Sequence, residues 1–138
     1  MNIKTTSPAT DLPRIVIAGG SGFIGRGLTQ MFVARGFELV VLTRNAGATS
    51  GNVRQVAWDG TTLGDWTREL EGATGVINLA GHTINCPHTP TNQKLIVESR
   101  VNSLQAITSA IRHCQRPPAV LVQGSAVGFY GDNGPKHR

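Results

Sequence analysis

Short apolar runs alternate along the chain with stretches in which apolar residues recur every three or four positions. The runs are predicted strands, because a strand buried on both faces of a parallel sheet shows no polar alternation. They lie at residues 15–18, 37–42, 53–58, 75–81 and 119–125. This order of elements predicts an α/β fold with a parallel sheet of about five strands.

Three stretches have the spacing of helices, each with an apolar stripe that we expect to face the core. The stripes consist of Ile24, Leu28, Met31 and Phe32, of Trp66 and Leu70, and of Val97, Val101, Leu104, Ile107 and Ile111. The third helix, over residues 92–114, is the longest and is predicted to face the core along most of its length. Gly36 is a natural end for the first helix.

The first apolar run stops at a glycine cluster, Gly19-Gly-Ser-Gly-Phe-Ile-Gly25, and the first helix begins there. Gly19 lets the chain turn out of the strand, Gly22 lets backbone N–H groups approach a pyrophosphate, and Gly25 lets the helix pack closely. The helix N-terminus adds N–H donors and a partial positive charge. Strand, glycines and helix in this order predict a dinucleotide-binding, Rossmann-type doubly wound parallel sheet, incomplete at about five strands.

The end of the second strand indicates which dinucleotide would bind. An Asp or Glu commonly stands there in NAD sites and would repel a 2′-phosphate. This chain has Thr43 and Arg44 instead, and a guanidinium can bind that phosphate. The sequence therefore predicts NADP(H) in preference to NAD(H). Arg26 is either part of the same pocket or a solvated arginine on the helix surface.

Two further groups follow predicted strands and so belong to the ligand side of the sheet. Leu79, Ala80 and Gly81 lie in the turn after the fourth strand, and Ser125 ends the fifth. We expect them beside the cofactor, although the turn could also be purely structural. Asp59, after the third strand, either approaches the adenine or only forms a turn.

Composition limits the classes of function. The 138 residues suffice for one domain, and 13 basic against 8 acidic residues give a net charge of +5. Because the arginines are scattered along the chain, no nucleic-acid partner is predicted. We expect a flexible leader at residues 1–13, the nucleotide-binding domain at 14–131 and a short tail at 132–138.

The remaining candidate groups give no further site. Cys86 and Cys114 lack the spacing of a metal site or a redox motif, which is typical of thiols in a reducing compartment. His82 and His88 have no third ligand at a useful spacing, so no metal is predicted. Neither a signal core nor a membrane-spanning run occurs in the sequence, which favours a cytoplasmic protein without a membrane partner.

Several motifs together resemble a known superfamily. They are GGSGFIGRGL, VLTRN, VINLAG, ESRVNS and SAVGFYGD, and they extend over about residues 14–132. The chain is similar to the extended short-chain dehydrogenase/reductase superfamily, and more narrowly to its epimerase-like subfamily. The similarity corresponds to the N-terminal half of such a protein.

The resemblance implies a Rossmann domain that binds NADP(H). It implies that the pyrophosphate lies on the glycine turn, with Phe23 and Ile24 in the same turn, and that the 2′-phosphate lies near Arg44. The nicotinamide would lie near Ala80, Gly81 and Ser125. Ser125 matches the serine that hydrogen-bonds the reacting hydroxyl or carbonyl group, and it is the only catalytic residue that the resemblance implies.

The sequence departs from the superfamily pattern in its catalytic residues. The superfamily uses a tyrosine with a lysine four residues later, whereas Gly134 stands four residues after Tyr130, and Lys136 has the wrong spacing. The loop 82–91 also differs from the subfamily's usual composition. Two functions remain open: the cofactor half of an oxidoreductase or epimerase, or a non-catalytic NADP(H)-binding or sensing module with a protein partner.

The last predicted strand has no later strand or covering helix in this sequence. An exposed edge or apolar face would result, and such surfaces favour association. We therefore expect the chain either to self-associate through the long helix or the sheet edge, or to be marginally stable.

Overall fold

The computed structural model of the chain describes residues 12–82 and 86–124. Five parallel strands form one sheet in the order β3-β2-β1-β4-β5. The strands are β1 (Arg14–Ala18), β2 (Glu38–Thr43), β3 (Val53–Ala57), β4 (Gly75–Asn78) and β5 (Val120–Gln123). The helices are α1 (Phe23–Ala34), a 3₁₀ helix (Asp65–Leu70) and α2 (Pro90–Arg112).

The strand order places a switch point between β1 and β4. Ala18 at the end of β1 lies beside Leu42 of β2 and Asn78 of β4. The chain leaves β1 on one side to build β2 and β3, then returns on the other side to build β4 and β5. In such sheets the connections diverge at the carboxyl ends of the strands and leave a crevice there. The predicted Rossmann-type doubly wound sheet of about five strands is confirmed.

Helices cover both faces of the sheet. On one face α1 packs against a core of Ile15, Ile17 and Leu39. The other face carries a larger core to which both α2 and the 3₁₀ helix contribute. Trp66 and Leu70 are buried there as predicted, although their helix is of the 3₁₀ type. Trp58 and Trp66 meet edge to face with ring centroids 5.2 Å apart, so both tryptophans serve packing.

The predicted stripe of α1 is partly wrong. Leu28 and Phe32 pack on the core, but the side chains of Ile24 and Met31 are 62% and 38% exposed. The cause is Gly25, the only fully buried residue of this helix. It contacts the preceding turn and so places Ile24 and Met31 on the flank of the helix.

The predicted stripe of α2 is also partly wrong. Val97 and Val101 are 60% and 45% exposed, so the first half of the helix does not face the core as expected. The buried positions are mostly small and lie on an adjacent helical face: Ser103, Ala106, Ile107 and Ala110. Small side chains let the helix approach the sheet closely. The helix also begins two residues before the predicted start, because Thr89 caps it by accepting the N–H of Asn92.

A network of charges joins the amino-terminal ends of the first three strands. Arg54 of β3 binds Glu69 of the 3₁₀ helix through both terminal nitrogens, at 3.2 and 2.6 Å, and also approaches Glu38 of β2. Arg14 of β1 lies 3.4 Å from Glu38 and donates to the carbonyl oxygens of Glu69 and Glu71. The hydrogen bond to Glu69 raises the pKa of Arg54 despite partial burial.

Strand β5 is an edge strand within the described residues. Val120 and Val122 are 55% and 50% exposed on it. An exposed edge with an apolar face was expected from the sequence. Most of the predicted leader, residues 1–11, lies outside the described residues, as do the predicted tail and Tyr130.

Candidate functional site

The glycine turn after β1 requires glycine for two different geometric reasons. Gly19 has φ +76°, and a Cβ there would lie 2.8 Å from the backbone nitrogen of Ala80. A Cβ on Gly25 would lie 2.4 Å from the Cα of Gly20. The first glycine therefore permits the turn, as predicted. The second permits close packing of helix α1, although the contact is with the turn and not with the sheet as expected.

Gly22 has no such constraint from the protein. Its nearest contact to an added Cβ would be the Gly19 carbonyl oxygen at 3.7 Å, which is ordinary van der Waals distance. Gly22 precedes α1, and the first helical hydrogen bond is the one that Arg26 donates to its carbonyl oxygen. The N–H groups of Phe23 and Ile24 come before that bond. The turn thus exposes backbone donors at a helix N-terminus beside an open space, which suits an anion.

A cleft of about 400 Å³ lies at the switch point, at the carboxyl ends of β1, β2 and β4. Its lining includes Gly19 and Ser21 of the turn, Thr43 and Arg44 after β2, and Ala80 after β4. Thr43 is half-buried and Arg44 is exposed. Among the described residues no carboxylate forms an ion pair with Arg44, which leaves its charge available to a ligand.

Asp59 also lines this cleft and forms a turn. Its carboxylate accepts the backbone N–H groups of Thr61 and Thr62, both at 2.8 Å, and the hydroxyl of Thr62 at 2.6 Å. These hydrogen bonds, led by the one from the Thr62 hydroxyl, lower the pKa of Asp59 to about 2. Asp59 therefore forms the predicted turn with its carboxylate charged at neutral pH, and its approach to the adenine stays a prediction.

Asn78, fully buried at the end of β4, joins three elements below the cleft. Its amide nitrogen donates to the Ser103 hydroxyl of α2 at 3.1 Å and to the Gln123 side chain of β5 at 2.9 Å. Its amide oxygen accepts the N–H of Ala80 at 3.0 Å. These bonds fix the backbone of the turn that follows β4.

Sequence reasoning missed Ser99 and Ser103, which both line the cleft from α2. The Ser99 hydroxyl accepts the N–H of His82 at 2.7 Å, and the Ser103 hydroxyl accepts from Asn78. The signal was present in the spacing of small residues at 99, 103, 106 and 110, which marks one helical face. The predicted stripe of α2 was chosen by hydrophobicity alone, and it therefore did not include this face of small residues.

The structure brings most of the predicted site residues to one place. Gly19, Thr43, Arg44, Ala80 and Gly81 line the cleft, and Gly22 and Gly25 belong to the turn that borders it. Other predicted residues lie elsewhere or outside the description. They are Phe23 and Ile24, whose side chains are exposed on α1; Leu79, which packs on the α1 side of the sheet; and Ser125, outside the described residues.

Arg26 is a surface residue of α1 and does not line the cleft, which favours the solvated interpretation. Within residues 12–82 and 86–124, no three His, Cys, Asp or Glu side chains are grouped to hold a metal ion. The same part of the chain contains no helix that is long and apolar enough to cross a membrane.

The sheet order, the glycine turn and the cleft at the switch point define a Rossmann-type nucleotide-binding domain. Residues 15–138 match the NAD dependent epimerase/dehydratase family. The chain belongs to this family. The prediction of an epimerase-like Rossmann domain for a nicotinamide dinucleotide is thereby confirmed, and the preference for NADP(H) stays a prediction.

Proteins from distant organisms are similar to this sequence. Bovine epimerase family protein SDR39U1 is 33% identical over 120 residues, which make up 85% of this chain and 38% of that protein. Epimerase family protein YfhF of Bacillus subtilis is 34% identical over 118 residues, covering 85% of this chain and 39% of YfhF. The chain thus spans slightly less than two fifths of the length of these relatives.

Solved structures show the same fold. A crystal structure of human SDR39U1 (isoform 2) with NADPH matches with a TM-score of 0.69 and 30% identity, over 85% of this chain and 38% of that one. A UDP-glucuronic acid 4-epimerase from Bacillus cereus matches with a TM-score of 0.71 over 86% of this chain and 42% of the enzyme. Its 18% identity supports the fold alone.

Proposed function

We propose that this chain binds NADP(H) in the cleft at the switch point. The pyrophosphate would lie over the turn of Gly19, Gly22 and Gly25, against the N–H groups of Phe23 and Ile24. The room at Gly22 supports this, because a Cβ there would make only an ordinary contact of 3.7 Å with the Gly19 carbonyl oxygen among the described residues, whereas a bound phosphate would require the position to stay free of a side chain.

The two ends of the dinucleotide would meet different groups. The 2′-phosphate would bind Arg44, with Thr43 beside it, and the nicotinamide would lie toward the turn of Leu79, Ala80 and Gly81 and toward Ser125. The observation that carries the preference for NADP(H) is Arg44, an exposed guanidinium on the cleft where an NAD site would present a carboxylate. Human SDR39U1, a relative of this chain, was crystallised with NADPH.

Calorimetric titration with NADPH and NADH tests the proposal. The unchanged chain is expected to bind NADPH more tightly. Arg44→Ala should weaken the binding of NADPH about tenfold or more and leave the affinity for NADH unchanged. A hydrogen bond to a charged group contributes about 1.5 to 3 kcal/mol, and the lower end of this range applies because Arg44 is exposed.

Arg26→Ala is the matched control, because it removes an exposed arginine near the same turn but outside the cleft. Equal affinities for NADPH and NADH would contradict the assigned preference, as would equal losses in the two variants. Absence of binding to either dinucleotide would contradict the cofactor site itself.

For the family protein as a whole we propose an oxidoreductase or epimerase of which this chain forms the cofactor half. Bound nicotinamide dinucleotide supplies hydride transfer. Ser125 would hydrogen-bond the reacting hydroxyl or carbonyl group. For these 138 residues themselves we propose cofactor binding, because the glycine turn and the cleft both lie within the part of the chain that the structure describes.

Assays of NADPH oxidation with a panel of carbonyl substrates distinguish cofactor binding without turnover from catalysis by the chain alone. The non-catalytic alternative predicts saturable NADPH binding without NADPH oxidation above background. Oxidation that depends on both substrate and Ser125 would instead show that the chain is an enzyme by itself. Ser125→Ala, measured beside the unchanged chain, makes that distinction.

We also propose that two copies of the chain associate along the open side of the sheet. Strand β5 pairs only with β4 among the described residues, and Val120 and Val122 expose uncharged side chains on it. An unpaired edge of this kind is a template for another strand. Val97 and Val101 add exposed apolar surface on α2, the helix that precedes β5.

Light scattering after size exclusion tests the association. The unchanged chain is expected to dimerise at micromolar concentration, and Val122→Lys should shift it to a monomer because an edge lysine opposes pairing. Leu63→Lys, at another exposed apolar residue, is the matched control. A stable monomer of the unchanged chain, or a dimer of Val122→Lys, would contradict the proposed interface.

A further inference from the structure

Arg100 of α2 holds the segment that follows β4. Its Nη1 atom donates to the carbonyl oxygens of His82 and Ile96, at 3.2 Å each. The neighbouring Ser99 hydroxyl accepts the N–H of the same histidine. The guanidinium is therefore anchored at one nitrogen to two backbone carbonyls, and its position relative to Gly81 and His82 is fixed.

The other two nitrogens of this guanidinium have no such role. Nε and Nη2 donate to no group among the described residues, and no carboxylate there forms an ion pair with Arg100. The residue is half-buried, and a cation in such a place is ordinarily paired. Three N–H donors thus point away from the anchored nitrogen in the planar geometry that matches two oxygens of a carboxylate or phosphate.

Gly81 provides the room for this guanidinium. A Cβ at Gly81 would lie 3.0 Å from both Cζ and Nη1 of Arg100 and 3.2 Å from its Cγ. Gly81, His82 and Ser99 also line the cleft proposed for the cofactor. Arg100 is not itself among the residues that line the cleft, but its guanidinium lies directly behind Gly81 and His82, at the β4 end where the nicotinamide is proposed to bind.

We propose that Arg100 binds an anionic group of the substrate, a carboxylate or a phosphate, next to the nicotinamide end of the cleft. The assignment of the anion to the substrate rests on the proposed cofactor site. Nη1 keeps its two carbonyl partners, and Nε and Nη2 take the two oxygens. The net charge of +5 favours the approach of an anion but does not select this place.

Nuclear magnetic resonance titration with inorganic phosphate, and separately with acetate, tests the proposal. The signals are the backbone amides of Gly81 and His82 and the Nε–H of Arg100. Each titration is run with saturating NADPH, which fills the proposed phosphate sites of the cofactor, and again without it. Saturable shifts at these three groups are expected, with the stronger probe indicating whether the natural group is a phosphate or a carboxylate.

Three variants give the result its meaning. Arg100→Gln is expected to weaken probe binding about tenfold or more, because it removes both the positive charge and the planar pair of donors that matches two oxygens. Arg100→Lys keeps the charge but lacks the planar pair of donors, so its loss of probe affinity should be smaller. Arg112→Gln removes an exposed arginine of the same helix and should change nothing. Thermal unfolding of each variant separates loss of binding from loss of folding.

Failure of the two proposals would look different. Absence of NADPH binding contradicts the cofactor site. The titration without NADPH then tests anion binding at Arg100 independently of the cofactor. Absence of saturable shifts in the unchanged chain, or equal probe affinity in Arg100→Lys, Arg100→Gln and the unchanged chain, overturns the anion site. In that case Arg100 serves only to hold the segment after β4.

Discussion

At the amino-terminal ends of the strands, Arg14 and Arg54 lie beside the carboxylates of Glu38 and Glu69. At the carboxyl-terminal ends, Arg44 and Arg100 have no carboxylate partner among the described residues. The carboxylate that stands there, Asp59, is bonded to threonine donors instead. One end of the sheet pairs its arginines with carboxylates of the protein, and the other end, where we propose that ligands bind, leaves Arg44 and Arg100 without such partners among the described residues.

Among the described residues the carboxyl-terminal end has no such arginine–carboxylate pair, so packing and hydrogen bonds must hold it together. The close approach at Gly25 and the amide of Asn78 do this, the first through packing and the second through three hydrogen bonds. We expect the two ends to respond differently to substitution, salt and pH.

Gly25→Ala should have the largest effect. The new Cβ would lie 2.4 Å from the Cα atom of Gly20, so α1 must move away from the turn. We expect a loss of about 3 kcal/mol or more in the free energy of unfolding, measured by urea denaturation. Gly27→Ala, two residues along the same helix, meets nothing within 4 Å and should stabilise by about 0.5 to 1 kcal/mol. Similar effects of the two substitutions would contradict the packing role of Gly25.

Asn78→Ala should come second, because it leaves the partners on β5, α2 and the turn after β4 without their hydrogen bonds. We expect a loss of about 2 to 3 kcal/mol in the free energy of unfolding. Ser103→Ala removes only one of these bonds and should cost about 1 kcal/mol. If neither loss exceeds that of an exposed polar residue such as Gln105, the neutral network does not hold this end of the sheet.

Glu69→Gln tests the charged end. It breaks the paired contact with Arg54 and should lower the free energy of unfolding by about 1 kcal/mol at low salt, with a smaller difference at high salt. NADPH affinity should be unchanged, in contrast with Arg44→Ala. Glu98→Gln disrupts an exposed pair with Lys94 and should change stability by less than about 0.5 kcal/mol. A loss that does not depend on salt would argue against an electrostatic network.

Asp59→Asn should give the smallest effect, a loss of stability at neutral pH that shrinks as the pH falls. Because the folded-state pKa of Asp59 is about 2, below its ordinary value of 3.8, ionisation stabilises the fold above pH 4 and this contribution is lost as the pH falls toward 2. The variant lacks this titration, so its stability should fall less than that of the unchanged chain over the same interval. Asp65→Asn, at an exposed residue, is the control. Parallel acid profiles of Asp59→Asn and the unchanged chain would contradict the assignment.

The site was predictable where chemistry is local in sequence. The spacing of Gly19, Gly22 and Gly25 follows from the geometry of a single strand–turn–helix unit, and Arg44 is informative because it directly follows a strand. Ser99, Ser103 and Arg100 were not predictable in the same way. They act from the middle of a long helix, and only the packing angle of that helix decides which of its side chains reach the turn after β4.

The sequence by itself determined the order of strands and helices, the parallel sheet and the dinucleotide turn, because unbroken apolar runs and glycine spacing are properties of neighbouring residues. Tertiary structure decided which helical faces are buried. Ile24 and Val97 are apolar yet exposed, whereas the smaller Gly25 and Ser103 are buried, because close approach to the sheet favours small side chains over hydrophobic ones. It also decided which arginines have carboxylate partners, since that depends on strands brought together from distant parts of the chain.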